Sequence, residues 1–343
     1  MPPYYRVRCT STTPSTKRKT IFSGIQPTGV PHIGNYFGTL QQWVDLQTDE
    51  YNNLIFSLVD LHALTTPHNV EQLKRNKNDA LISLLAIGID PSRCIIFEQS
   101  SVPEHAELAW ILGCLTPMGF LDRMTQYKSK KNDCSNTLGL FAYPVLQAAD
   151  ILLYNATHVP VGQDQAQHLE LTRTLAERFN KAYGVTFNLP ETLHAETKKV
   201  FSLRDPSSKM SKSDRNRNST VYLTDTAEEI QKKINASVTD SISGVSFDPV
   251  ARPGLSNLVQ ILAAALHTDC KSIAELQQFS QHSEFKSLVA NTLIRLLGPI
   301  QDRISVLRRD PAYIQELKRQ GSKRAAEKAK EMMQKIHDNV GLL

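Results

Sequence analysis

Residues 20–35 read TIFSGIQPTGVPHIGN, and the passage from strand to helix within them decides the fold. Thr20–Ile25 is an apolar run of strand length, Pro27, Thr28 and Gly29 make a turn, and a helix is expected from Ile33 to about Leu46. The alternation continues outward. Leu54–Asp60 is a second strand-length run, and Asn69 caps a long helix that Gly88 closes, with Gln72 in the reach-back position of a capping box. Arg93–Phe97 reads as a third strand, and Ser101 with Glu104 three residues later opens another helix. Tyr143–Tyr154 and Ala166–Phe179 read as helices around the short apolar Val159–Val161. Strands alternating with helices predict an α/β fold: a Rossmann-like parallel sheet with helices on both faces. Beyond Asp214 only helical spacing remains, as in Leu255, Leu258, Val259, Leu262 and Ala263, and a charged helix runs from Pro311. The expected organisation is an α/β domain over 20–215 and an all-helical domain over 216–343.

A chain of 343 residues with 41% hydrophobic content is long enough for two buried cores. No apolar run approaches the ~20 residues that span a bilayer, so no membrane association is expected. A net charge of +5 permits a polyanionic partner without demanding one. The five cysteines form no C-x-x-C pair and the histidines show no metal-ligand spacing, so neither a disulfide framework nor a protein-held metal is expected. Residues 1–19 carry Arg6, Arg8, Lys17, Arg18 and Lys19, no acid, and many hydroxyl residues. That is the composition of a mitochondrial transit peptide and points to the matrix, with a disordered basic arm as the competing reading.

Two stretches carry chemistry. In the first, Gly29 and Gly34 allow close backbone approach where a strand meets a helix N-terminus, and His32 and Asn35 offer donors to an anion. Alone, this reads equally as a tight connection with His32 on the surface. The second, Ser208-Lys209-Met210-Ser211-Lys212-Ser213, places two lysines among hydroxyl residues, a loop able to wrap a polyphosphate. Alone, it reads more readily as a solvated basic loop.

Together, an H-I-G-N turn and a K-M-S-K-S loop ahead of a helical region resemble the class I aminoacyl-tRNA synthetases. Within them the chain resembles the tryptophanyl family of bacterial and organellar type. The resemblance runs through S-G-I-Q-P-T-G at 23–29, V-D-L-H-A at 59–63, R-M-T-Q-Y-K at 123–128, Y-P-V-L-Q-A-A-D-I-L-L-Y-N at 143–155, V-P-V-G-Q-D-Q at 159–165 and A-S-V-T-D at 236–240. It implies that Gln26, His32, Ile33, Gly34 and Asn35 hold ATP phosphates and nearby groups, and that Gly162, Gln163 and Asp164 line the adenosine. By the same resemblance Val200 offers backbone to the adenine, and the loop Lys209, Met210, Ser211, Lys212 and Ser213 closes on the triphosphate. Its catalytic residues are His32, Asn35, Lys209 and Lys212. Gln126 and Lys130 match positions near the amino acid and pyrophosphate.

The amino-acid pocket has an argument of its own. Tyr143, Gln147 and Asp150 share one helix face. A buried carboxylate needs donors, and the indole N–H is a donor only, so Asp150 is expected to accept it; the competing role is a carboxylate paired to an arginine. Phe22, His62 and Gln165 match further pocket positions, as do Val59 and Val161, with core packing the other role of Phe22 and Val59. Gln147, often Met in bacterial members, and Gln163, where the family has Glu, depart from the pattern. The first of these brings the tyrosyl sister family within reach.

The resemblance implies that the chain activates L-tryptophan with ATP and Mg²⁺ and loads it onto tRNA(Trp), as a homodimer. Lys318, Arg319, Lys323, Arg324, Lys328 and Lys330 are candidates for tRNA phosphates, or else a solvated helix face. The alternatives are tyrosine specificity, a nucleotidyl transferase acting on a small acid, and a non-catalytic RNA-binding derivative.

Overall fold

Five strands form one parallel sheet in the computed structural model, which describes residues 18–124, 137–160, 162, 165–193, 199–212, 214, 216–276 and 281–343. They are β1 (Thr20–Ile25), β2 (Asn53–Leu58), β3 (Cys94–Glu98), β4 (His158–Pro160) and β5 (Glu191–Leu193), in the order β3-β2-β1-β4-β5. The chain builds outward from β1 to β3, then returns to the far side of β1. Such a reversal opens a crevice at the carboxyl ends of the strands. The register pairs Ile25 with Leu58 and Leu58 with Glu98, so β1, β2 and β3 finish level.

Alternate side chains supply two cores, one on each face of the sheet. Ile21, Leu54, Phe56, Leu58 and Ile96 enter the first, and Phe22, Ile55, Ile95 and Phe97 the second. A parallel sheet apolar on both faces requires helices on both, as expected from the sequence. The first core takes in Trp43, stacked on Phe56 with ring centroids 4.3 Å apart.

The helices are close to those expected, with corrections at their ends. α1 (Ile33–Asn35) widens into a π-helical turn (Tyr36–Leu40) and continues as α2 (Gln41–Leu46). The second strand stops at Leu58, short of the expected Asp60, which instead opens α3 (Asp60–Ala63). Asn69 caps α4 (Val70–Ala86) by accepting from the Gln72 N–H at 3.0 Å, and Gly88 follows it at φ +111°. There is no capping box, because the Gln72 side chain lies along the helix, its Oε1 accepting from Arg75 and its Nε2 donating to Asn76. Ser101 does not cap α5 (Glu104–Leu115); its hydroxyl donates to the Glu98 carbonyl, and the helix starts after Pro103. α6 (Met118–Asp122), α7 (Leu138–Leu152) and α8 (Ala166–Tyr183) complete the α/β part. α9 (Ala227–Asn235), α10 (Pro253–Ala265), α11 (Cys270–Leu276), α12 (His282–Arg308) and α13 (Pro311–Val340) follow, with no further strand among the described residues.

The last helix is not set apart from the sheet. α13 gives Ile314 to the first core and Ala325, Ala329, Met332, Met333 and Ile336 to the second, so it crosses the open edge at β3. At the crossing Gly321 lies against Ile96, where a Cβ would fall on the carbonyl oxygen. Arg324 donates to the carbonyls of Pro91 (2.8 Å) and Cys94 (3.0 Å), and Lys318 pairs with Glu98 at 2.7 Å. An uncovered edge strand is a template for aggregation, and this helix removes it. Of the six basic residues considered for tRNA, Lys318 and Arg324 are thus occupied within the chain, and Arg319 pairs with Glu316 at 2.7 Å.

Helix propensity alone favours alanine over glycine by about 1 kcal/mol, whereas a methyl group forced into a closed contact costs about 1–3 kcal/mol. The clash is with backbone and sits at the upper end of that cost, so net of the propensity gain Gly321→Ala is expected to lower the unfolding free energy in a urea titration by ~2 kcal/mol. A gain of ~1 kcal/mol, the propensity value, would contradict the close crossing.

Candidate active site

The segment after β1 folds back on itself. Thr28 N–H donates to the Gln26 carbonyl at 2.9 Å, and Gly29 takes φ +90°, a left-handed conformation that glycine adopts without strain. His32 then caps α1: its Nδ1 accepts from the Asn35 N–H at 3.3 Å, while the Asn35 side chain accepts from the His32 N–H at 3.2 Å. This reciprocal pair makes the H-I-G-N motif a capping box, and it fixes the tautomer. With Nδ1 an acceptor, the ring proton is on Nε2, where it is available to an anion. Burial, with Lys212 and then Lys209 nearby, lowers the His32 pKa to about 4, so the ring is a neutral donor at pH 7. Gly34 is required here, since a Cβ would stand 2.9 Å from the imidazole.

The lysine loop reaches the same place through the backbone. Ser202 N–H donates to the Ser208 carbonyl and Met210 N–H to the Val200 carbonyl, at 2.9 and 3.1 Å, so residues 200–210 fold as a hairpin-like turn. Asn257 on α10 anchors its base, donating to and accepting from the Phe201 backbone at 3.0 and 2.9 Å. Beyond the loop, Ile33 N–H donates to the Val221 carbonyl and Leu223 N–H to the Pro31 carbonyl, stapling the H-I-G-N turn to the chain that follows the lysines. Lys212 Nζ donates to Thr28 Oγ1 and to the Gly29 carbonyl, both at 3.0 Å. Burial lowers its pKa to about 8. Lys209 is exposed and Met210 buried. The two motifs therefore form one site: a neutral donor, a helix N-terminus and two lysines around a turn. Its chemistry is stabilisation of a polyanion.

The second half of the site is built around Asp150 on α7, which is sealed from solvent. Its Oδ1 accepts from Gln99 Nε2 at 2.7 Å and His105 Nδ1 at 2.6 Å, and its Oδ2 from His62 Nε2 at 2.9 Å. Burial pushes its pKa up, but the two imidazoles more than reverse this and bring it to about 2. The carboxylate is ionised and acceptor-only. Its partners are not the arginine considered from the sequence but residues at the level rim of the sheet. His62 lies on α3 after β2, and Gln99 directly follows β3 and also accepts from the Leu61 N–H at 3.1 Å.

Tyr143, on the same face of α7, stands edge-on to His62 with centroids 6.2 Å apart. Its hydroxyl is 2.8 Å from His168 Nε2; His168 Nδ1 donates to Gln165 Oε1 at 2.8 Å, and Gln147 donates to the same oxygen at 3.4 Å. Tyr143, Gln147 and Gln165 thus form one chain with His168. Phe22 is core beneath the pocket, stacked on Tyr154 at 5.7 Å. Val59 is buried against Gly24. Gln26 is exposed at the turn, and Ile33 is buried. Gly162 accepts from the Gln165 N–H, and the Val200 carbonyl is committed to Met210. Val161, Gln163, Asp164, Ser213, Gln126 and Lys130 lie outside the described residues, as do residues 1–17. Gln99, His105, His168 and Asn257 are the site-building residues that sequence reasoning did not single out. Among the described residues no three His, Cys, Asp or Glu side chains are grouped to share a metal ion.

Because the folded pKa of Asp150 lies below the ordinary 3.8, its ionised form stabilises the fold above about pH 4, and that contribution fades as pH falls toward 2. A difference of about two units corresponds to ~2–3 kcal/mol. Asp150→Asn is expected to be less stable at neutral pH and to lose stability less steeply between pH 4 and 2 than the native protein. Parallel acid limbs in chemical denaturation would contradict the buried-carboxylate assignment.

Comparison with known proteins agrees with this geometry. The family model of class I tRNA synthetases (W and Y) matches residues 14–298. The chain is 44% identical to the mitochondrial tryptophan–tRNA ligase of Saccharomyces cerevisiae, over 94% of this chain and 90% of that one. It is 42% identical to the mitochondrial tryptophan–tRNA ligase of Schizosaccharomyces pombe, over 94% and 95%. The structure of Campylobacter jejuni tryptophanyl-tRNA synthetase complexed with ADP and tryptophan superposes with a TM-score of 0.81 at 34% identity, covering 94% of this chain and 99% of that one. With its H-I-G-N turn joined to its lysine loop and a carboxylate buried at the rim of the sheet, the chain belongs to the class I tRNA synthetases, in the family of the tryptophan and tyrosine enzymes.

Proposed function

We propose that the chain is a tryptophan–tRNA ligase that forms tryptophanyl-adenylate from L-tryptophan and ATP and passes the acyl group to tRNA(Trp). The observation that carries this is Asp150, an ionised, acceptor-only carboxylate sealed at the carboxyl rim of the sheet. It suits a ligand whose polar point is a ring N–H. Phenylalanine brings no hydrogen to the one acceptor direction that His62, Gln99 and His105 leave on Oδ2, a mismatch that costs roughly 10⁴–10⁵ in selectivity. Tryptophan over tyrosine is supported by the relatives and by Gln147, which bonds Gln165 rather than converging with Asp150.

The tryptophan carboxylate is already ionised at neutral pH and needs no general base to attack the α-phosphorus. The P–O bond to pyrophosphate breaks as the new bond forms. Charge building on the phosphates meets His32 Nε2–H, the α1 N-terminus, Lys209 and Lys212. Magnesium enters with ATP as part of the substrate. The 2′-hydroxyl of the terminal tRNA ribose then takes the acyl group and AMP leaves. We assign catalysis to residues 20–215 and anticodon binding to 216–343. Lys323, Lys328 and Lys330, exposed on α13, are the phosphate contacts to test first. A homodimer is supported by the exposed Trp110, Met118 and Leu138 (77%, 66% and 77%), too much apolar surface on neighbouring helices to leave in water. The mitochondrial matrix is supported by the two yeast relatives and by the acid-free basic residues 1–19.

Incubation with labelled tryptophan, ATP and mitochondrial tRNA should yield alkali-labile tryptophanyl-tRNA, and failure to charge would contradict the proposal. Lys212 makes a further test. Its pKa of about 8 in the free chain should rise beside triphosphate. ATP binding at pH 8 is expected to take up a proton, seen by calorimetry in buffers of different ionisation enthalpy. Lys212→Met should abolish that uptake and slow amino-acid activation by about 10²-fold or more. Undiminished activation would remove Lys212 from the mechanism.

A further inference from the structure

Asp150 has about four acceptor directions, and the described contacts use two on Oδ1 and one on Oδ2. Among the described residues, the direction remaining is on Oδ2. The carboxylate must be held at a fixed rotation for that direction to meet a ligand. His105 does this from outside the pocket. It is completely buried, touches Asp150 through Nδ1 at 2.6 Å, and is 3.0 Å from the Tyr154 hydroxyl through Nε2. An ionised carboxylate offers only acceptors, so Nδ1 carries the proton whatever the charge on the ring. A neutral ring then accepts the Tyr154 O–H at Nε2. Tyr154 stays a phenol, because burial and then the Asp150 charge raise its pKa. It is clamped by Phe22 and Phe97, each with its ring centroid 5.7 Å away.

From this chain of contacts we propose that His105, held by Tyr154, is a positioning residue for amino-acid selectivity: it fixes Asp150 as an oriented acceptor for a ring N–H. The inference rests on the tryptophan reading of the pocket. Without the His105 donor the carboxylate loses one of the two bonds that fix Oδ1 and can turn, and an N–H ligand loses its advantage over one without that hydrogen. His62 and Gln99 also hold Asp150, but His62 packs edge-on against Tyr143 and Gln99 is tied to the Leu61 backbone, so their substitution would disturb more than orientation.

The experiment is pyrophosphate exchange with the full chain, comparing kcat/KM for tryptophan with that for the analogue in which sulfur replaces the indole N–H. The native chain should favour tryptophan by about 10²-fold or more. His105→Leu should cut that ratio by ~10-fold or more, the value of one charge-assisted hydrogen bond. His105→Asn, whose amide nitrogen reaches the position of Nδ1 and still donates, should restore most of it. A packing role would slow both substrates alike and leave the ratio unchanged, and that result, or Leu and Asn behaving identically, would overturn the proposal. Tyr154→Phe removes only a hydroxyl and guards against misfolding of the leucine variant. It should lower the ratio in the same direction, and an unaltered ratio would count against the relay. A native chain that exchanges with tryptophan yet does not distinguish the sulfur analogue would overturn the role of Asp150, and the proposal with it. A native chain inactive with tryptophan would overturn the functional reading itself.

Discussion

A carboxylate shut away from water has to be met by donors, and Asp150 draws its three from three separate elements. His62 comes from the helix after β2, Gln99 from the end of β3 and His105 from the first turn of α5. They converge because parallel pairing brings Leu58 and Glu98 level, which places whatever follows each strand on one rim. Breaking such a buried arrangement by removing one partner costs about 3–5 kcal/mol. A site of this kind holds together only if the sheet register, the short helix α3 and the seat of α5 are all correct. The helix α13 bears on the same elements, through Lys318 on Glu98 and the His337–Glu107 pair at 2.6 Å.

The phosphate side follows a different logic. Among the described residues no carboxylate pairs with the cations gathered there: Lys212 is held by a hydroxyl and a carbonyl, and His32 is kept neutral by burial and by the lysines beside it. Groups so arranged repel one another mildly in the free chain and are relieved when an anion arrives. The backbone ties between 31–33 and 221–223, and the grip of Asn257 on Phe201, hold the two motifs against each other. Through these links the helical region helps to seat the two motifs.

Much of this could be read from residue order. The alternation of apolar runs and helical spacing was enough for the parallel sheet, and the two motifs, read together, were enough to expect the turn and the lysine loop to meet. The errors lie where side chains had competing partners. Gln72 closes on Asn76 instead of its own cap, Ser101 on Glu98 instead of α5, and Asp60 starts a helix instead of ending a strand. Asp150 was legible as a carboxylate needing a donor, but not the donors, since His105 and Gln99 lie 45 and 51 residues away and meet it only through the register. His168 was nearer to hand, three residues from Gln165 on the same helix face. The path of α13 across the sheet edge had no local signal beyond a glycine in a charged helix.

The central claim is that this crevice adenylates tryptophan, with Asp150 reading its indole N–H. The most direct measurement is amino-acid-dependent ATP–pyrophosphate exchange with tryptophan and tyrosine side by side, on protein lacking residues 1–19. Exchange with tryptophan and not with tyrosine is the predicted result. Exchange with tyrosine alone would keep the chemistry and contradict the substrate, and folded protein that exchanges with neither would contradict the account as a whole.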